Sequence, residues 1–368
     1  MKQGRMSKVV KIGGFSHVRP ICVGGGFPVV IQTMWKDRLS FSGLDEAAVK
    51  IEALGAFGCG IVRFAVPDLQ SAELLGRLAE MTSMPLVADI HFDYKIALRC
   101  MDFPVSKIRI NPGNIGNKEK TRLVLEKAAD RKVPIRIGVN AGSLPSDLRR
   151  MVEEGMSTSD ALAQAAKREI SVFEEFGFTD FLVSMKATGI ADTISANQIL
   201  SRLTDAPLHI GLTEAGPLTA GVARSTAALL SLLSGGIGDT IRVSLSDSVE
   251  NEVIAAREIL AAIAQLAPQN ERLKQRGVNV ISCPRCGRHG FDTCGFTTRW
   301  MPKLYAMDKD ITVAVMGCEV NGPVEAKHAD LGITGAGEKV LIFKHGEIIK
   351  TIDASEADIV FEEELNKL

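Results

Sequence analysis

Near-continuous apolar runs recur along the first two thirds of the chain, and polar segments of helical length separate them. The runs fall at 28–34, 61–66, 85–91, 107–111, 134–139, 180–186, 207–213 and 240–245. Several open on a proline, which a strand tolerates as its first residue. None alternates cleanly between apolar and polar, as expected of parallel strands covered on both faces. The segments between them, including 45–54, 68–81, 118–131, 161–176 and 194–204, are long enough to serve as crossover helices. Eight such units, closed by a helix over 250–266, predict an α/β fold whose N-terminal part is a (β/α)8 TIM barrel. An open doubly wound sheet is the rival, but eight regular repeats favour closure. A linker follows at 267–270. The pattern then changes, with strands expected at 278–282, 312–316 and 339–343 and a strand or turn followed by a helix over 348–368. The expected division is a barrel over 1–267 and a smaller α/β domain over 268–368.

Composition narrows the function classes. The 368 residues carry 43 Lys and Arg against 44 Asp and Glu, a formal net charge of −1, so no overall basic field attracts nucleic acid. Aromatic residues are 5%, too few for a base-stacking surface. Hydrophobic residues at 46% allow a sizeable core. Seven cysteines, an odd number in a long chain, do not form the dense disulfide framework of a small secreted domain. No apolar segment follows the N-terminal residues, and no run approaches the length of a membrane span. A reducing cytoplasmic setting is expected.

Charge inside the apolar runs is the first chemical signal. Arg63, Arg109, Arg136 and Arg242 each sit between apolar neighbours, and Lys186 ends a fifth run. A cation on a buried strand is unfavourable unless something satisfies it. Asp89 and Glu214 are candidate internal partners. Five cations at comparable strand positions exceed what two carboxylates neutralise, so they describe a convergent site for a polyanion. Guanidinium forks match phosphate geometry, which points to a small phosphorylated molecule at the C-terminal rim of the strands. Asn140, Ser244 and Ser246 add hydrogen-bonding groups at strand ends. Asp89 and His91 are two residues apart and share one side of their strand. Gly24–Gly26 precedes a strand and does not read as a nucleotide loop. The segment 35–38, Trp-Lys-Asp-Arg, is a candidate loop over the site.

The second signal lies near the C-terminus. Cys283 and Cys286 form a Cys-x-x-Cys pair in Ser-Cys-Pro-Arg-Cys-Gly-Arg, and Cys318 returns in Met-Gly-Cys-Glu-Val-Asn-Gly-Pro, followed by Glu325. A Cys-x-x-Cys turn presents two sulfurs to one centre, and a third cysteine in a glycine-flanked turn completes a three-thiolate face. Soft ligands favour iron–sulfur or zinc over magnesium or calcium. A structural zinc site stays open on spacing alone, with His289, Cys294 or His328 as further ligands. Cys22, Cys59 and Cys100, scattered among apolar or turn residues, read as inert small hydrophobes.

These segments together resemble one family, the 4-hydroxy-3-methylbut-2-en-1-yl diphosphate synthases of the non-mevalonate isoprenoid route, in their two-domain bacterial form. The most specific parts are Cys-Pro-Arg-Cys-Gly-Arg at 283–288 and Met-Gly-Cys-Glu-Val-Asn-Gly-Pro-Val-Glu-Ala at 316–326. Ala-Asp-Ile-His-Phe at 88–92, Arg-Ile-Asn-Pro-Gly-Asn at 109–114 and Gly-Leu-Thr-Glu-Ala-Gly at 211–216 support them. Val324 stands where that family usually has glycine.

The resemblance implies that Cys283, Cys286 and Cys318 ligate a [4Fe–4S] cluster and that Glu325 occupies the fourth iron. It implies an iron–sulfur oxidoreductase that reductively opens 2-C-methyl-D-erythritol 2,4-cyclodiphosphate. Arg63, Arg109, Arg136, Asn140, Lys186, Arg242, Ser244 and Ser246 would bind that substrate, and Asp89, His91, Glu214 and Glu325 would act in catalysis. It further implies a flavodoxin or ferredoxin as electron donor and a homodimer in which each cluster domain serves the partner's barrel.

Overall fold

A computed structural model describes residues 5–284, 286–319 and 322–368. Arg285, Val320 and Asn321 of the two cysteine motifs lie outside the described residues. The chain divides into two units, one running to Gln275 and the other from Arg276 to Leu368.

The first unit opens with an antiparallel hairpin, β1 (Val10–Ile12) and β2 (Ile21–Val23). Eight parallel strands follow: β3 (Val30–Met34), β4 (Cys59–Ala65), β5 (Leu86–Asp89), β6 (Lys107–Ile110), β7 (Ile135–Asn140), β8 (Phe181–Lys186), β9 (His209–Ile210) and β10 (Thr240–Ile241). They hydrogen-bond in the order β8-β7-β6-β5-β4-β3-β10-β9, and a bridge between Val183 and Leu208 joins the two ends. The expected barrel is therefore closed. Successive side chains alternate between the barrel interior and the helical layer. The lowest interior layer is apolar: Ile61, Val87 and Leu182 pack against Val10, Ile12 and Val23 of the hairpin. The hairpin thus seals the N-terminal end, each buried Val or Leu contributing about 1.5–3 kcal/mol.

β9 and β10 are shorter than their apolar runs. At Gly211 a Cβ would stand 2.2 Å from the Arg242 carbonyl oxygen, and φ is +152°. This backbone conformation interrupts the regular ladder, and the runs continue toward the rim through scattered pairings, Arg242 N to Ile210 O at 3.1 Å and a bridge between Gly216 and Leu245. Helices Leu44–Ala56, Leu69–Met81, Lys118–Arg131, Thr158–Glu175, Ile190–Leu200, Leu218–Ser234 and Val249–Leu266 cover the outside. Side-chain caps start several of them: Asp68 accepts from Ser71 N at 2.7 Å, and Ser157 accepts from Asp160 N at 3.0 Å. The helix expected at 194–204 begins earlier, because Thr193 Oγ1 donates to the Ala187 carbonyl at 3.2 Å and anchors its first turn. Beyond the last helix, Arg272 holds the chain against the N-terminal rim. It donates to the carbonyls of Gly236 and Gly238 and to Asp239, and its own carbonyl accepts from Val29 N.

The second unit is one mixed sheet, β11 (Asn279–Ser282), β12 (Thr312–Met316), β13 (Leu331–Ala336), β14 (Lys339–Lys344) and β15 (Glu347–Asp353), in sequential order. β11, β12 and β13 are parallel, and β14 and β15 are antiparallel additions. Helices Thr293–Tyr305 and Ala357–Asn366 cover one face, with Phe296, Trp300 and Phe361 in mutual ring contact. Among the described residues, no helix is long and apolar enough to cross a membrane.

Candidate active site

Beside the apolar residues packed against the hairpin, the barrel interior is built from charge. β4 supplies Arg63, β5 Asp89, β6 both Lys107 and Arg109, β7 Arg136 and Asn140, and β8 Lys186; Arg242 follows β10. Strand register sets Asp89 beside Arg109 and Arg109 beside Arg136. The Asp89 carboxylate lies 3.0 Å from Arg109 Nη1, 3.6 Å from Arg63 Nε and 3.7 Å from His91 Nε2. Gly138 makes room for Arg109: a Cβ there would lie 2.3 Å from Arg109 Nε. Arg63 Nη2 also reaches Met34 Sδ at 2.7 Å.

Two of these groups were not read from the sequence. Lys107 is fully buried, its ammonium donating to Gln32 Oε1 at 3.1 Å. It lies two residues before Arg109, so strand alternation already placed it on the same face. The other is Glu252, 1% exposed, whose carboxylate stands 3.2 Å from Arg242. Glu214, the expected second internal acid, is instead exposed on the rim with φ +54°. Helix periodicity could have found Glu252, which shares the buried face of its helix with Val249, Val253 and Ala256.

Among the described residues, six interior cations therefore meet the two carboxylates of Asp89 and Glu252. Burial opposes ionisation of Asp89, but Arg63, the His91 hydrogen bond, Arg109 and Arg136 together outweigh it and hold the carboxyl well below its ordinary range. Burial, reinforced by Arg242 and Arg109 and countered by Asp89, brings Arg63 down to about 10, still protonated at neutral pH. Lys107, Arg136 and Lys186 are pushed well below their usual values by burial first and by neighbouring cations second. His209, fully buried with Nδ1 2.8 Å from Thr240 Oγ1, is depressed by burial and by Arg136, and stays neutral. Arg136 is the extreme case. It is 1% exposed, and its Nε and Nη1 have no hydrogen-bond partner among the described residues. Interior donors this dense, with so few acceptors, fit a ligand rich in anionic oxygen.

Asn140 and Ser244 are half-buried at the rim, and Ser246 and His91 are exposed there. Lys36 is tied down, donating to the carbonyls of Leu245 at 2.9 Å and Asp247. A cavity of about 550 Å³ beside it, walled by Trp35, Arg38, Phe64 and Leu74, has none of the six cations in its lining.

In the second unit the thiols sit at the C-terminal ends of neighbouring parallel strands. Cys283 follows β11 and donates its N–H to Val315 O at 2.9 Å; Cys318 follows β12. The two cysteine loops are joined by Gly290 N to Gly317 O at 2.8 Å, and Thr293 Oγ1 donates to Cys283 O at 3.1 Å. Cys283, Cys286, Arg288, Glu325 and His328 line one cavity of about 420 Å³. The Arg288 backbone N–H lowers the exposed Cys286 thiol from its ordinary value. Val324 lies in a helical turn, Gly322–Glu325, and is 70% exposed, so no left-handed backbone is asked of it. Among the described residues, no three His, Cys, Asp or Glu side chains are gathered around a single point. The donor chemistry nevertheless suits a polynuclear centre, in which each iron takes its own thiolate. Cys294 is exposed at the start of its helix. Cys59 and Cys100 are pushed up to about 12 by burial, as inert core thiols would be.

The pattern of the GcpE TIM-barrel domain matches residues 15–257, and that of the GcpE protein C-terminal domain matches residues 279–367. The chain belongs to the GcpE family. Proteins named 4-hydroxy-3-methylbut-2-en-1-yl diphosphate synthase (flavodoxin) are similar over nearly its whole length. The one from Treponema denticola is 51% identical, over 96% of this chain and 94% of its own. The Treponema pallidum protein is 49% identical over 97% and 91%. The Thermodesulfovibrio yellowstonii protein is 42% identical over the full length of both. The GcpE domain patterns fall one on each unit of the structure.

Proposed function

We propose that this chain catalyses the reductive ring opening and dehydration of 2-C-methyl-D-erythritol 2,4-cyclodiphosphate to 4-hydroxy-3-methylbut-2-enyl diphosphate. Two electrons enter, the C–O bond to one phosphate breaks, and a hydroxyl leaves as water. The observation that carries this reading is the excess of buried cations over carboxylates inside a closed barrel. A cyclic diphosphate supplies the missing negative charge. When its ring opens, the released phosphate oxygen gains charge among donors already fixed in place.

Arg63, Arg109, Arg136, Lys186 and Arg242 hold the diphosphate, while Asn140, Ser244 and Ser246 contribute neutral hydrogen bonds. Asp89 keeps Arg63 and Arg109 aimed into the barrel. His91 and Glu214, both exposed at the rim, would hand protons to the departing hydroxyl. Cys283, Cys286 and Cys318, with Glu325 nearby, would hold a [4Fe–4S] cluster. That group supplies electrons one at a time at low potential, as cleavage of a stable C–O bond requires. A flavodoxin or ferredoxin is the proposed source of those electrons, flavodoxin being the one in the relatives' names.

The proposed assembly is a homodimer with shared sites. The chain leaves the barrel at the N-terminal rim, where Arg272 pins it, while Lys186 and Arg242 stand at the C-terminal ends of β8 and β10. In the shared arrangement, the cluster domain of a second copy serves each barrel.

Protein purified without oxygen should convert the cyclic diphosphate when a reduced dye donates electrons. Phosphorus NMR should show the cyclic resonances giving way to those of a linear diphosphate. An unchanged spectrum from protein with full iron and sulfide content would overturn the proposal.

A further inference from the structure

Glu252 has no part in the chemistry above, yet it is among the most fully satisfied charges in the barrel. It stands in the first turn of helix Val249–Leu266, whose start is fixed by Ser248 Oγ accepting from Asn251 N at 3.1 Å. Its carboxylate accepts from Thr33 Oγ1 at 2.8 Å, Leu245 N at 3.0 Å, and Arg242 Nη2 and Nε at 3.2 and 3.4 Å. Lys36 Nζ lies 3.3 Å away and is itself held by the Leu245 and Asp247 carbonyls.

These donors come from both sides of one seam. Thr33 and Lys36 belong to β3 and its following loop; Arg242 and Leu245 follow β10. The two strands pair only at Thr240 with Val30 and Ile241 with Ile31. Above that point no ladder joins them, and Glu252 bridges them by side chain at the level of Arg242. It engages Nε and Nη2, one edge of the guanidinium, and makes no bond to Nη1. A long side chain with several rotatable bonds would otherwise have to be ordered by the ligand itself.

We propose that Glu252, braced by Lys36, is a positioning residue that fixes the Arg242 guanidinium for the substrate's phosphate. This rests on the cyclic diphosphate reading above. A residue that merely neutralised the site would have the opposite signature, since removing its negative charge would tighten anion binding. The sign of the change therefore separates positioning from neutralisation.

The test compares holoenzyme of wild type, Glu252→Gln, Arg242→Lys and the double variant, measuring KM and kcat for the cyclic diphosphate with reduced dye. Calorimetric titration with inorganic diphosphate serves as a probe that needs no turnover. Glu252→Gln is expected to raise KM and the inorganic diphosphate Kd about tenfold and to leave kcat within about twofold. In the Arg242→Lys background the same change should cost less than about threefold, because the fork it aligned is gone. An unchanged or lowered KM and Kd would overturn the proposal, and so would effects that multiply in full. Should Glu252→Gln fail to fold, Lys36→Met carries the test with an expected rise of about threefold in KM, and no rise would overturn the proposal. A wild type that binds inorganic diphosphate but does not turn over the cyclic compound contradicts the proposed reaction and leaves the Kd comparison to judge Glu252.

Discussion

Arg136→Met should yield a protein that melts at a higher temperature and has lost nearly all activity. Arg136 is 1% exposed, with two guanidinium nitrogens that have no partner among the described residues. Burial opposes its charge most, Arg63, Arg109 and Arg242 add repulsion, and Asp89 counters them in part. Replacing a charge buried this poorly with an apolar side chain of similar length stabilises by about 1–3 kcal/mol. For a domain of this size that corresponds to a rise of roughly 2–10 °C. In the proposed reading the same guanidinium binds the substrate phosphate, and losing a desolvated ionic partner costs about 2–5 kcal/mol. A fall in kcat/KM on the order of a thousandfold should accompany the higher melting temperature. Calorimetric melting and steady-state kinetics on one preparation check both halves. A lower melting temperature with activity retained would mean that Arg136 is paired in solution and serves the fold.

Cys318→Ala should leave the barrel intact and remove the iron. Cys318 is 7% exposed at the end of β12, and its carbonyl accepts from Gly322 N at 3.0 Å, a contact that alanine keeps. The loop therefore survives while one thiolate is lost. Iron and acid-labile sulfide should fall below about a tenth of wild type, the brown colour should vanish, and turnover should drop on the order of a thousandfold or more. Binding of inorganic diphosphate should not change. Cys294→Ser is the matched control: this exposed thiol lies outside the proposed ligand set, so full iron content and turnover are expected. Iron retained by Cys318→Ala, or lost by Cys294→Ser, would require a different ligand set.

How much of this was legible in the sequence follows from where each signal resides. Strands buried on both faces write themselves as apolar runs, so the barrel strands could be read directly, as could the cations that interrupt them. β13 could not, because Leu-Gly-Ile-Thr-Gly-Ala carries two glycines that resemble a turn, and its strand character comes from neighbours on both sides. The hairpin β1–β2 was missed for a related reason: three-residue strands give too short a period to register. Lys107 could have been taken from the alternation that yielded Arg109. Which acid answers which cation is a different kind of fact. Helix periodicity marks Glu252 as facing the core, but only the fold shows Glu214 turned outward at φ +54° and Glu252 set beside Arg242. The thiols were legible because Cys-x-x-Cys is local, whereas the link between the two cysteine loops, Gly290 N to Gly317 O, depends on β11 and β12 being parallel neighbours.

In the proposed dimer, the barrel's cations and the cluster that the second domain's thiolates would hold serve one substrate molecule, each contributed by a different copy of the chain. Co-expressing the Arg136→Met chain with the Cys318→Ala chain tests this directly, since neither homodimer has a complete site. Random pairing makes half the dimers mixed, each with one intact site, so about a quarter of wild-type turnover should return. Purified mixed dimers that stay as inactive as either parent would contradict it.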